Sequence, residues 1–333
     1  MSEAQAARTS LDPDSPDSPP APNLTDLTVQ SGRADYRTRA IGTARQVLLP
    51  VIALALLAGG YTGFKALGRA LGDPWRSWPL VRGWLPTTDD LIMPPLPEVL
   101  GALTAPAQRG SEDTLLDLII ASAAFTLREA AVGFVAGVVI GLSVAVLLLR
   151  ARTLERGLLP YVVASQTIPL VAIAPLVVIW GRGNLSWVPW EWQDWMSVSI
   201  IATYLTFFPV AVNGLRGLQS PPAEAVELMR SCAASWTQTL RLLRFPASLP
   251  YLFVGLRVAA TASVVGAIVG EISAGVRGGL GRLILDFASR YTTGPERLYA
   301  AVAGAAVLGL VAIGAIAAAE WVTLRGRGDA VRT

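Results

Sequence analysis

The 333-residue sequence contains no histidine, one cysteine (Cys232) and one lysine (Lys65). Each scarcity closes a class of chemistry. Without histidine there is no Ser-His or Cys-His nucleophilic pair, no His-ligated haem and none of the usual zinc sites. A lone cysteine forms neither an intrachain disulfide nor a thiolate cluster. Lys65 is followed by Ala66, whereas a phosphate-binding P-loop needs Gly-Lys followed by Ser or Thr. Any ATP hydrolysis linked to this chain therefore belongs to another polypeptide. Charge is scarce too. Charged residues make up 15% of the chain, against about 25% in soluble domains. With 53% hydrophobic residues and a mean hydropathy of +0.50, the chain reads as a membrane protein. Its net charge of +3 is accounted for by arginines beside apolar runs and implies no nucleic-acid partner.

Residues 1–35 carry Ser-Pro and Asp-Pro repeats and no apolar face. They are expected to be a disordered tail. No basic stretch followed by an apolar one opens the chain, so a cleavable signal peptide is not expected. A membrane domain is expected over 36–325, with a short tail at 326–333. Within it, spans are expected at about 46–67, 129–149, 158–180, 196–215, 250–270 and 298–322. Each is long enough to cross about 30 Å of hydrocarbon. The stretch 114–149 is too long for one simple span, and reads as an outer amphipathic part followed by a span from Glu129. Gly133, Gly137 and Gly141 recur every four residues within it, a face that permits close helix packing in lipid. The third span carries Ser165, Gln166, Thr167, Pro169 and Pro175. The connections around 69–112 and 181–195 are rich in tryptophan, which favours the membrane–water interface.

Six spans place both termini on one side. Arginine decides which side. Arg33, Arg37, Arg39 and Arg45 precede the first span; Arg150, Arg152 and Arg156 fill a short turn; Arg325, Arg327 and Arg332 follow the last span. The positive-inside rule puts these, and the polar segment 219–249, in the cytoplasm.

That segment organises the chain. Pro221-Pro222 precede Glu224 and Glu227, an arrangement suited to a helix N-terminus. A short amphipathic helix is expected to run to about Ala233, with Glu224, Glu227 and Arg230 on its polar edge. A second is expected from about Ser235 to about Phe245. The segment resembles the EAA loop of ABC importer permeases, whose pattern is EAA, three residues, glycine, nine residues, then I-x-LP. Here Glu227-Leu228-Met229 stands at EAA, Ala233 at the glycine and Leu243-Arg244-Phe245-Pro246 at I-x-LP. Spacing is kept; Leu228-Met229, Ala233 and Phe245 depart from the pattern. The resemblance extends over about 46–322. It looks closest to the taurine, sulfonate, nitrate and aminopyrimidine permeases through Ile168–Pro175, Ile179–Gly183, Phe207–Leu218, Gly270–Ile272 and Gly278–Gly281.

The resemblance implies an all-α membrane protein, a six-transmembrane-helix permease bundle of the type I ABC importer kind. It implies a homodimer in a bacterial inner membrane, multi-pass, with both termini cytoplasmic. Partners would be ABC ATPase subunits and an extracytoplasmic solute-binding protein. This chain would hold no cofactor, and ATP and Mg would be bound by the ATPase. The loop would couple to that ATPase through Glu224, Glu227, Arg230, Ala233 and Ser235. Glu227 could pair with an arginine of the ATPase groove, or be a surface charge favoured by the helix N-terminus. Ser165, Gln166, Thr167, Thr203, Tyr204, Asn213, Thr261 and Ser263 are candidates to line the pathway, though each could instead make an interhelical hydrogen bond. Glu271 is a candidate to close an outer gate or to meet the binding protein, or it is an interfacial carboxylate. The substrate class implied is a small organic anion (sulfonate, taurine, nitrate-like) or a vitamin precursor such as an aminopyrimidine or riboflavin. Two other classes compete. An ATPase-independent channel or secondary carrier commonly shows paired repeats and mid-membrane charges, and neither is evident. An intramembrane enzyme would need a carboxylate pair, and no expected span carries two acids.

Overall fold

Apolar composition and helix signals together dictate the architecture. The computed structural model describes residues 52–53, 55–72, 88–107, 112–184 and 191–328, with the side chains of 152 and 325–328 outside that description. It divides into two units, Met1–Thr88 and Asp89–Thr333. In the first, residues 55–71 form a helix, α1. The expected tail at 1–35 and part of the first expected span lie outside the described residues.

The second unit is helical throughout. Among the described residues its only β pairing is an isolated bridge between Pro106 and Thr114. A short helix, α2 (Leu96–Thr104), begins after Pro95. α3 (Leu115–Arg150) is 36 residues long. Its start is fixed by a capping box: Thr114 Oγ1 accepts from the Asp117 N–H at 3.2 Å, and the Asp117 carboxylate accepts from the Thr114 N–H at 3.1 Å. The stretch expected to divide at Glu129 is thus one helix. Asp117 serves as its cap, and Glu129 is buried inside the unit, so neither acid interrupts it. At 1.5 Å per residue α3 spans about 54 Å, well beyond a hydrocarbon core of about 30 Å.

The span expected at 158–180 is broken. α4 (Arg152–Ser165) and α5 (Leu170–Asn184) meet at a 92° bend. Pro169 lacks an N–H and disfavours helical geometry at Ile168. The chain ends α4 in three tight turn bonds, the last from Ile168 N–H to the Ser165 carbonyl at 3.3 Å.

α6 (Asp194–Leu218) is followed by α7 (Ala223–Ser231). α8 (Trp236–Thr239) passes through a π turn at Leu240–Arg244 directly into α9 (Phe245–Ala274). The second helix of the polar segment and the fifth expected span are therefore one 39-residue run, Trp236–Ala274. Pro246 does not end it. A proline ring clashes with the carbonyl four residues earlier, and the wider π turn sits just where that clash would fall. α10 (Gly279–Ser289) and α11 (Pro295–Gly328) complete the chain.

Among the described residues, four helices are long and apolar enough to cross a membrane, or five if the bent α4–α5 pair counts as one span. The chain is thus a multi-pass helical membrane protein. α3, α6 and α9 pack together at its centre. The Gly133, Gly137, Gly141 face of α3 lies on α6: a Cβ at Gly137 would fall 2.6 Å from Thr206 Cγ2, and one at Gly141 2.8 Å from Val210 Cβ. Leu115, Ile119, Val264, Val276, Leu280 and Ala301 join α3, α9, α10 and α11 in one core cluster. Ala145 and Leu148 meet Leu215 and Leu218 at the other end of α3. Polar ties cross between helices as well. Arg182 grips Asp194 with two bonds of 2.7 and 2.5 Å, linking the end of α5 to the start of α6. Arg257 of α9 is ion-paired with Glu320 of α11.

Candidate functional site

The polar segment folds as a bracket between two long helices. α7 carries Glu224 in its first turn and Arg230 in its last, and none of its nine residues is buried. Glu224, Glu227 and Arg230 are all exposed, and Leu228 beside them is 64% exposed. A helix this short is marginal on its own. The chain leading into it is held by two bonds. Beyond the start, Gln219 Nε2 donates to Glu155 of α4 at 3.0 Å. Arg244 Nη1 donates to the Leu218 carbonyl at 2.8 Å, closing the bracket across its base.

The turn after α7 is where the motif's glycine would stand. Ala233 has φ +54°, the only positive φ of a non-glycine residue among the described residues. The Ala233 N–H bonds the Arg230 carbonyl and the Ala234 N–H the Met229 carbonyl, both at 2.9 Å. This is a Schellman ending, in which the left-handed residue is usually glycine. Alanine adopts the glycine conformation here despite its Cβ. Ser235 then caps α8: its Oγ accepts from the Gln238 N–H at 3.3 Å, and Gln238 Oε1 accepts from the Ser235 N–H at 2.7 Å. Under α8, Arg150 stacks 4.8 Å over the Trp236 ring.

The expected pathway residues separate into two groups. Ser165, Thr167, Thr203, Asn213, Thr261 and Ser263 each donate to a carbonyl three or four residues back on their own chain. Such local bonds satisfy a polar side chain inside an apolar helix. Tyr204 and Gln166 behave differently. Tyr204 donates its hydroxyl to the backbone carbonyl of Ser165, 39 residues away. Gln166 Nε2 is enclosed with no hydrogen-bond partner. Both lie at the break between α4 and α5, so the structure brings Ser165, Gln166 and Tyr204 together and leaves Thr261 and Ser263 on α9.

Glu271, the expected outer-gate residue, is fully buried. Its Oε1 accepts from Thr126 Oγ1 at 2.7 Å and its Oε2 from the Gly281 N–H at 2.5 Å. Glu129 of α3, also fully buried, lies within hydrogen-bonding reach of it. Sequence reading missed this pair, because the two acids come from different helices 142 residues apart in number (271 − 129). The available signal was Glu129 itself, an acid inside an apolar run. Among the described residues no group of three or more Asp, Glu, Cys or His could hold a metal ion.

Residues 137–325 match the family described as the binding-protein-dependent transport system inner membrane component. The chain is 38% identical over 133 residues to a riboflavin transport system permease protein of Chloroflexus aurantiacus, covering 40% of this chain and 46% of the relative. It is 35% identical over 146 residues to a formylaminopyrimidine transport permease protein of Halalkalibacterium halodurans, covering 44% and 54%. It is 26% identical over 201 residues to a putative aliphatic sulfonates transport permease protein of Bacillus subtilis, covering 59% and 68%. The chain thus spans about half the length of the first two relatives it matches.

Proposed function

Because the chain belongs to the inner membrane components of binding-protein-dependent transport systems, we propose that it is the permease subunit of an ATP-binding-cassette importer. One observation carries the reading. A helix with no buried residue, bearing Glu224, Glu227 and Arg230, stands between α6 and α8, with the chain before it tied to Glu155 and Arg244. A short helix so exposed suits a groove on another protein. The partner is a separate ATPase, which binds ATP and Mg; the chain's own sequence has no P-loop.

In this reading two copies of the chain form the pathway, and a solute-binding protein delivers substrate from outside. α1 supplies a first span, and the α4–α5 pair counts as one. That gives six spans, with both termini and α7 on the ATPase side. The arginine asymmetry supports that orientation. The polar groups gathered at the α4–α5 break, Gln166 and Tyr204 foremost, line the route. Thr167 lies in the break itself, and Ser165, Thr203, Asn213, Thr261 and Ser263 lie on the helices flanking it. The substrate is a small organic metabolite of the kind for which the relatives are named: a flavin, a pyrimidine precursor or a sulfonate.

The test is copurification of the cognate ATPase with wild-type and Glu227→Ala chains, beside the thermal stability of each chain alone. Loss of a charge-assisted bond costs about 1.5–3 kcal/mol, about ten-fold or more in affinity. The expected result is reduced copurification at unchanged thermal stability. Glu224→Ala, one turn earlier, should have the smaller effect. Full copurification by the Glu227 variant would make that carboxylate an ordinary surface charge. Transport by the purified chain with no ATPase present would replace the importer with a channel or secondary carrier.

A further inference from the structure

Glu129 and Glu271 meet where α3, α9 and α10 pack, and both have 0% exposure. Their surroundings are unequal. Glu271 is supplied with donors. The Thr126 hydroxyl and the Gly281 N–H both donate to it. Gly281 and Arg282 belong to the first turn of α10, whose N–H groups have no partner within the helix and whose end carries partial positive charge. The Leu280 N–H is taken by Thr126 Oγ1 at 2.8 Å. Glu271 is therefore an N-terminal cap for α10, placed to be an anion.

Glu129 has no such supply. Both its carboxyl oxygens are enclosed without a hydrogen-bond partner. The charged group nearest in sequence, Arg128, stacks 4.0 Å over Trp195 on α6. The Arg282 side chain is paired with Asp286 at 3.1 Å. Two ionised carboxylates in contact would leave four acceptors, no donor between them and two buried charges in a lipid-embedded core. A single proton supplies the missing donor and leaves one buried charge in place of two. Carried on Glu129, it gives that side chain an O–H to donate to Glu271, as a charge-assisted bond. The pair then holds one net negative charge, facing the start of α10.

We propose that Glu129 and Glu271 form a proton-binding site, in which a proton resident on Glu129 is donated to Glu271 and completes the anchor of α10 to α3 and α9. The site's size favours a proton over a metal cation. A Cβ at Gly281 would lie 2.8 Å from Glu271 Oε2, and Gly279, at φ +79°, packs against the same carboxylate. The backbone is already against the oxygens on that side.

Infrared spectroscopy of the purified full chain in lipid nanodiscs tests this. The wild type at neutral pH should show the carbonyl stretch of a protonated carboxylic acid, and Glu129→Gln should lose it. Thermal stability supplies an independent readout. The glutamine amide donates to Glu271 as the O–H does, so Glu129→Gln should hold the wild-type Tm. Glu271→Gln removes the anion from the start of α10 and should lower Tm. Should a pair variant fail to fold, Thr126→Val serves instead. It removes a donor from Glu271, makes that carboxylate a stronger acceptor and should shift the Glu129 carbonyl band. No difference band between wild type and Glu129→Gln, or a band unmoved by Thr126→Val, would overturn the proposal. A band abolished by replacing choline with sodium would also overturn it, in favour of a cation site.

Discussion

Tyr204 of α6 donates its hydroxyl to the backbone carbonyl of Ser165, the last residue of α4. The final carbonyls of a helix have no partner within it, and at membrane depth water is not there to take their place. The Ile168 N–H reaches this carbonyl at 3.3 Å, and the Tyr204 hydroxyl is a second donor that ties α6 to the 92° break between α4 and α5. Tyr204 is held in turn by Phe207, their ring centroids 6.0 Å apart.

Tyr204→Phe keeps the ring and removes the bond. A lost hydrogen bond costs about 0.5–1.5 kcal/mol, and the Ser165 carbonyl keeps the Ile168 N–H as a donor. The thermal midpoint of the purified chain should fall, and protease cleavage around residues 166–169 should rise. Wild-type values in both assays would mean the Ile168 N–H alone suffices for that carbonyl.

The α3–α6 seam is tight, and Gly137→Leu should break it. A Cβ there would already press on Thr206, and overpacking a core costs about 1–3 kcal/mol or more. Gly309 of α11 has nothing within 4 Å of its hypothetical Cβ, so Gly309→Leu is the control. Folded yield by size-exclusion chromatography should collapse for the first and hold for the second. Equal yields would mean the seam relaxes freely.

How far the sequence alone reaches follows from where the information sits. The glycine face of α3 and the polar bracket at 219–249 were legible, because spacing on one helix is a local property. The capped start of α3 was not read, although Thr114 and Asp117 spell a capping box: Glu129 looked like a break, and only its buried partner explains it. The continuity of α8 into α9 depends on a π turn, which has no propensity signature. Pro169 did announce the α4–α5 break, yet Pro160 and Pro175 stand inside helices of the same region, so proline by itself did not mark the place. The Glu129–Glu271 pair is a tertiary contact between helices distant in sequence, beyond the reach of any local pattern.

The Arg257–Glu320 ion pair joins α9 to α11, both apolar enough to span a membrane. Leaving one partner alone among lipid-facing helices is costly. Arg257→Glu should lower the thermal midpoint, since it also sets two carboxylates against each other. Adding Glu320→Arg should restore much of the loss, because the pair is rebuilt in reverse. A double variant no better than the single one would show that the pair contributes no net stability.

Ala233 provides the sharpest test of the bracket. A non-glycine residue in the left-handed region costs about 1–2 kcal/mol, and Ala233 bears that cost at φ +54°. Glycine removes the strain but adds about 0.5–1 kcal/mol of unfolded-chain entropy, so Ala233→Gly should be neutral to mildly stabilising for the turn. Valine is branched at Cβ and a poor fit to positive φ, so Ala233→Val should open the Schellman ending and let α7 swing. Since α7 buries no residue of its own, the thermal midpoint of the rest should barely change in either variant. The difference should instead appear in protease cleavage between residues 231 and 235, and in copurification of the ATPase, with glycine at least equal to alanine and both well above valine. Valine retaining full copurification and protection would show that α7's position is set by the ties at Gln219 and Arg244 alone, and that the turn conformation is incidental to the bracket.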